Sequence, residues 1–81
     1  RLANDADRLD HLMTTKGARI EGGCSLFRLY EVENAETTQT RLAENHIWSR
    51  IFPYSKTYIR LGLPAPDRWD QLEVAIDKSF S

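Results

Sequence analysis

The sequence predicts an α+β domain: a small, mostly antiparallel sheet of three to four strands with helices packed on one face. Three observations carry that reading. Leu2, Ala6, Leu9, Leu12 and Met13 recur at helical spacing near the start of the chain. Trp69, Leu72, Ala75, Ile76 and Phe80 do the same near its end. Between them lie short runs rich in aromatic and β-branched residues, separated by Gly22-Gly23, Pro53 and Pro64-Ala65-Pro66.

The first helix runs from about Leu2 to Lys16. Asn4, Asp5 and Asp7 lie near its start, where the helix dipole favours acids, and Lys16-Gly17 fits a helix end followed by a left-handed cap. Residues 18–21 form a short extended piece, and Gly22-Gly23 permits a turn or bulge. Ser25–Val32 is a strand. Alternation puts Phe27 and Leu29 on one face and Leu26, Tyr30 and Val32 on the other. Apolar residues on both faces predict that both are covered.

Asn34 suits an N-cap for a mostly exposed helix over 35–45, in which Leu42 and Ala43 are the main apolar residues. Residues 47–51 read as a strand, 52–57 as a turn with Pro53, and 58–63 as a further strand. Pro64-Ala65-Pro66 stops that strand, and Asp67 opens the last helix. The order is α-(β)-β-α-β-β-α. The first and last helices should supply most of the core, and the opposite sheet face needs a partner.

Length bounds the rest. Eighty-one residues make a single domain, 1–81. A chain of that size buries only about 60% of its unfolded surface, so its stability margin is modest. Charged residues are 28% and the net charge is −1, which points away from nucleic acid. A single cysteine, Cys24, rules out an internal disulfide framework and suits a reducing, cytoplasmic setting. No apolar run is long enough to span a bilayer, and no signal peptide is visible. The chain opens on Arg1 with a helix at once, which reads as a piece of a longer protein.

Little in the inventory suits catalysis. His11 lies inside the first helix and His46 just before a strand, and both read as ordinary surface histidines. Cys24 beside Ser25 would need a base and a helix N-terminus to act as a nucleophile, and neither lies nearby, so Cys24 reads as a small buried residue. Gly22-Gly23 is too short for a phosphate cradle. The arginines are more informative. Arg28 and Arg60 lie in the middle of strands and Arg50 closes one reading "HIWSR". A guanidinium presents a rigid fork that matches carboxylate and phosphate. Each could instead lie along a sheet edge or pair with an acid such as Glu31 or Glu33.

Taken together, "GGCSLFRL", "HIWSRIFP" and "YIRLGLPAPDRWDQLEVAI" resemble the C-terminal small domain of fold-type-I pyridoxal-phosphate enzymes. Within them the resemblance is to the cobalamin-pathway threonine-phosphate decarboxylases, relatives of the histidinol-phosphate aminotransferases, and it covers nearly the whole chain. The family usually has threonine where Cys24 stands and glycine-isoleucine where His46-Ile47 stands. The resemblance implies that pyridoxal 5'-phosphate is held by a large domain of the same polypeptide, absent from these 81 residues. Lys16, Lys56 and Lys78 do not match the family's Schiff-base lysine motif, so this stretch alone should not turn over substrate. It further implies that Arg60 grips the α-carboxylate of a phosphorylated amino acid and that Arg50 lies near its phosphate. The implied reaction converts threonine O-phosphate to aminopropanol phosphate and CO2, in a parent enzyme that dimerises. Arg28 takes no role from the resemblance and reads as structural.

Two other readings share these features. One is the small domain of a histidinol-phosphate-type aminotransferase, though the Gly-Gly-x-x-Leu-Phe-Arg-Leu string favours the decarboxylase. The other is a free-standing α/β binding module that uses a sheet face as a platform. The sequence also leaves a register open. If Ile51 pairs with Tyr58, then Arg50 and Arg60 point to opposite faces, whereas direct opposition of Arg50 and Arg60 puts both on one face.

Overall fold

The computed structural model describes residues 2–24 and 26–80. The chain runs α1 (Leu2–Thr14), β1 (Arg19–Gly23), β2 (Phe27–Glu31), α2 (Ala35–Glu44), β3 (Ser49–Phe52), β4 (Ser55–Gly62) and α3 (Trp69–Ser79), with a 3-10 turn over Pro66–Arg68 leading into α3. The expected start of a strand at Ser25, and the expected place of the Leu2 side chain in the core, lie outside what is described. The four strands form one antiparallel sheet in the order β1-β2-β4-β3. This is the α+β class and the element order that the periodicities predict.

All three helices pack on the same side. Leu9 and Met13 of α1, Leu42 of α2, and Trp69, Leu72, Ala75 and Ile76 of α3 meet Tyr30, Ile59 and Leu61 from the sheet. Each large aliphatic side chain taken fully out of water contributes about 1.5–3 kcal/mol. α2 buries Ala35, Thr38 and Leu42, so it adds to the core that α1 and α3 dominate. Two surface pairs tie α1 and the turn after it to α3: Arg8–Glu73 at 2.7 Å and Lys16–Asp77 at 2.9 Å.

The ends of α2 follow from its flanking residues. The Asn34 side chain accepts from the Thr37 amide at 2.9 Å and so satisfies one of the orphan donors of the first turn. At the other end the Ile47 amide donates to the Leu42 carbonyl at 2.9 Å and the His46 amide to the Ala43 carbonyl at 3.0 Å. That is a Schellman closure, and it demands a left-handed residue at His46, whose φ is 65°. Glycine would meet the same demand without a Cβ penalty.

In β1 the pairing with β2 slips between Ile20 and Gly22, so a bulge falls at Glu21, beside the glycine pair, while Gly22 and Gly23 stay paired with Leu29 and Arg28. Gly23 has φ 126°, and a Cβ on it would lie 2.6 Å from the Phe27 carbonyl oxygen, so only glycine fits.

Several details differ from expectation. Leu26 and Cys24 are exposed, because both lie between β1 and β2 rather than within a strand. The turn joining β3 and β4 contracts to Pro53-Tyr54, and β4 begins at Ser55. The face of β2 that carries Phe27 and Leu29 is not covered by any helix of this chain. Phe27 is 36% exposed, and Trp48, beside the same face, is 76% exposed.

Candidate functional site: a pair of opposed arginines

The register left open by the sequence is resolved. Arg50 of β3 lies directly opposite Arg60 of β4, with Ser49 opposite Leu61 and Ile51 opposite Ile59. Opposed residues of an antiparallel pair point to the same face, with Cα atoms about 4.5–5.5 Å apart. Ile59 and Leu61 are buried against the helices. Arg60, between them, therefore points to the open face, and Arg50 points with it. On the other side of Arg60 the neighbour is Leu29 of β2.

The two arginines share a shallow hollow of about 430 Å³, lined by Phe27, Trp48, Ser49, Arg50, Arg60 and Gly62. Among the described residues no carboxylate lines it. Three other hollows, by contrast, mix signs: one holds Lys16, Arg41 and Glu33, another Lys56 and Glu36, a third Lys78 with Glu44 and Asp70.

The remaining arginines show how this chain normally treats a guanidinium. Arg8, Arg19 and Arg28 each pair with an acid: Glu73, Glu31 and Asp10 respectively. Arg41 donates to the Ser79 carbonyl and Arg68 to the Gln71 side chain. Among the described residues neither Arg50 nor Arg60 has a carboxylate partner. Arg60 instead lies over the Phe27 ring, 4.8 Å from its centroid. Two unneutralised cations on adjacent strands repel. A bound anion would remove that repulsion.

Arg28 belongs to a different network. It points to the helix face, where its Nε and Nη2 donate to the two Asp10 carboxylate oxygens at 2.9 and 2.7 Å. The Tyr30 hydroxyl donates to Asp10 at 2.6 Å. Arg28 is therefore structural, but its acid is Asp10 on α1 rather than Glu31 or Glu33. Burial, then the hydrogen bond to Asp10 and the Asp10 charge, push the Tyr30 phenol far above its ordinary pKa of 10.0.

Cys24 has its thiol pKa lowered, first by the Leu26 amide and then by the Phe27 amide, with burial opposing. It is exposed and lies in the turn before β2. His11 and His46 are both exposed. Among the described residues no cluster of three His, Cys, Asp or Glu side chains could hold a metal ion. No helix among them is long and apolar enough to cross a membrane.

With the geometry in hand, comparison with known proteins decides the relationship. The chain is 44% identical over 59 residues, 73% of its length, to a threonine-phosphate decarboxylase from Sinorhizobium sp. This chain is similar to threonine-phosphate decarboxylase. The matched stretch is 17% of that relative, so the chain spans about a sixth of the length of the curated relative it matches. No family model matches the chain. The fold-type-I pyridoxal-phosphate resemblance is consistent with the match.

Lys16 is paired with Asp77, Lys56 lies on the β3–β4 hairpin, and Lys78 lies on α3. No lysine lines the arginine hollow. The hollow thus offers two guanidiniums, groups suited to binding an anion.

Two residues at this hollow carry no role in the sequence reading, Trp48 and Phe27. Their apolar character suggests core. Only the pleat and the absence of a covering helix place them at the surface.

Proposed function

We propose that this chain is the C-terminal, substrate-anchoring small domain of a pyridoxal-phosphate-dependent threonine-phosphate decarboxylase of cobalamin biosynthesis. One observation carries the reading: Arg50 and Arg60 lie opposite one another on the open sheet face without an acid between them. The similarity to a threonine-phosphate decarboxylase supplies an anion of fitting kind, an amino acid with both a carboxylate and a phosphate.

In this reading Arg60 holds the α-carboxylate with its planar fork, by two parallel charge-assisted hydrogen bonds. Arg50, one strand further out and more exposed, meets the phosphate. A guanidinium that held the ground-state carboxylate more tightly than the transition state would slow the loss of CO2, because the charge leaves the carboxylate as the bond breaks. The Arg60 contribution is therefore orientation: it fixes the direction of the scissile Cα–carboxylate bond. Phosphate binding at Arg50 supplies affinity from a part of the substrate that does not react. The cofactor and its lysine belong to a large domain of the same polypeptide, which also covers the open face, and the parent enzyme is a cytoplasmic homodimer.

The test uses the enzyme that carries this chain. Arg60→Lys keeps the charge and removes the fork. It should lower kcat/KM for threonine O-phosphate by about ten- to hundred-fold, the value of one or two charge-assisted hydrogen bonds, and shift the ratio of decarboxylation to transamination. An unchanged rate and ratio would remove Arg60 from the site. Turnover of histidinol phosphate in preference to threonine O-phosphate would instead identify an aminotransferase.

A further inference from the structure

We infer that Phe27 is a positioning residue for Arg60: its ring forms the floor on which the guanidinium lies, and it fixes the direction in which the fork faces the hollow. The inference deepens the anchoring reading and rests on it for the function of Arg60. The packing itself stands on geometry alone.

The sheet register creates this contact. Phe27 of β2 is directly opposite Gly62 of β4. Gly62 has no side chain, and a Cβ placed there would meet nothing within 4 Å. The space beside the Phe27 ring is therefore open along β4. Arg60 is two residues before Gly62, on the same face and diagonal to Phe27. Diagonal neighbours lie about 7–8 Å apart at Cα, within reach of an aromatic ring and a long side chain. Across this diagonal the ring meets the guanidinium, with the Arg60 Cζ 4.8 Å from its centroid.

The electrostatics favour the arrangement. The negative face of the ring attracts the cation without neutralising it, as a carboxylate would. Arg60 is thus restrained in direction while its donors stay available to an incoming anion. Arg50, opposite, has no such floor. Restraining one of two like charges also limits how far the pair can swing apart. Less side-chain freedom is then lost when an anion arrives.

The experiment uses the enzyme that carries this chain, with labelled arginine side chains and L-threonine O-phosphate as the probe, followed by NMR. In the unaltered chain the Arg60 side-chain protons should be shifted upfield by the ring. Phe27→Leu keeps an apolar side chain and removes the ring face; Phe27→Tyr keeps the face. Phe27→Leu should abolish the Arg60 shift, leave the backbone amide pattern of the core strands intact, and weaken the probe by about two- to five-fold. Phe27→Tyr should restore both readouts, a rescue that a purely packing role for Phe27 would not require in the Arg60 signals. Unchanged Arg60 shifts in Phe27→Leu would overturn the positioning role outright. So would lost shifts with full affinity, if Arg60→Lys in the same chain weakens the probe. Should neither Arg60→Lys nor Phe27→Leu alter binding while the ring shift is lost, the anchoring reading itself fails, and the inference falls with it.

Discussion

Replacing Asp10 with alanine should be the most damaging polar substitution in this chain. Asp10 accepts three hydrogen bonds, from Arg28 Nε at 2.9 Å, Arg28 Nη2 at 2.7 Å and the Tyr30 hydroxyl at 2.6 Å. Its side chain is 13% exposed and that of Arg28 is 19% exposed. Removing one member of a buried ion pair costs about 3–5 kcal/mol, because the other charge is left without a partner in poor solvent. Here the residual exposure of Arg28 places the loss near the low end, about 3 kcal/mol. A domain of this length has about 4–12 kcal/mol in all. The melting temperature should therefore fall by about 12–24 °C. Thermal and urea unfolding by circular dichroism read the change. Asp10→Ala/Arg28→Met should recover part of the loss, since no orphan charge remains. A loss under about 1 kcal/mol for Asp10→Ala would refute the claim that this carboxylate ties α1 to β2.

Two further predictions concern stability. His46→Gly relieves a left-handed residue that costs about 1–2 kcal/mol with a Cβ, partly offset by the extra chain entropy of glycine; a gain of about 1 kcal/mol, seen as a rise in Tm of roughly 4–8 °C, is expected. A decrease would show that the His46 side chain contributes more than its backbone costs. The Tyr30 phenol has its pKa raised in the fold above the ordinary 10.0. Its contribution is therefore complete below about pH 10 and is lost as pH rises above it, because the unfolded chain gives up the proton first. Stability between pH 9 and 11 should fall more steeply in the unaltered chain than in Tyr30→Phe, and parallel slopes would contradict the assignment.

Much of the fold could be read from local signals. The apolar stripes of α1 and α3 and the Asn34 cap each depend on residues close together in the chain, and each appears where its chemistry requires, while the bulge falls at Glu21, beside the glycine pair. Long-range pairing was not legible in this way. The partner of Arg28 is eighteen positions earlier on a helix, and no spacing rule connects Asp10 to a strand that is two elements later. The Arg50–Arg60 opposition depends on an irregularity between Ile51 and Phe52 near the hairpin turn, where Phe52 pairs with Ser55 while Ile51 pairs with Ile59. A regular hairpin count from Pro53-Tyr54 would give another register. Cys24 and Leu26 read as buried by type and are exposed because β2 begins only at Phe27, which leaves both between strands. The exposure of Trp48 follows from topology, since all three helices went to the other face.

The central claim is that two opposed guanidiniums without a counter-acid form an anion site. The most direct measurement titrates the arginine-labelled chain with L-threonine O-phosphate at low and at physiological ionic strength. The Arg50 and Arg60 side-chain signals should move together on one binding curve that weakens with salt, while Arg28, already held by Asp10, stays fixed. Signals of Arg50 and Arg60 that stay still, or that move no more than those of Arg8 and Arg19, would contradict it.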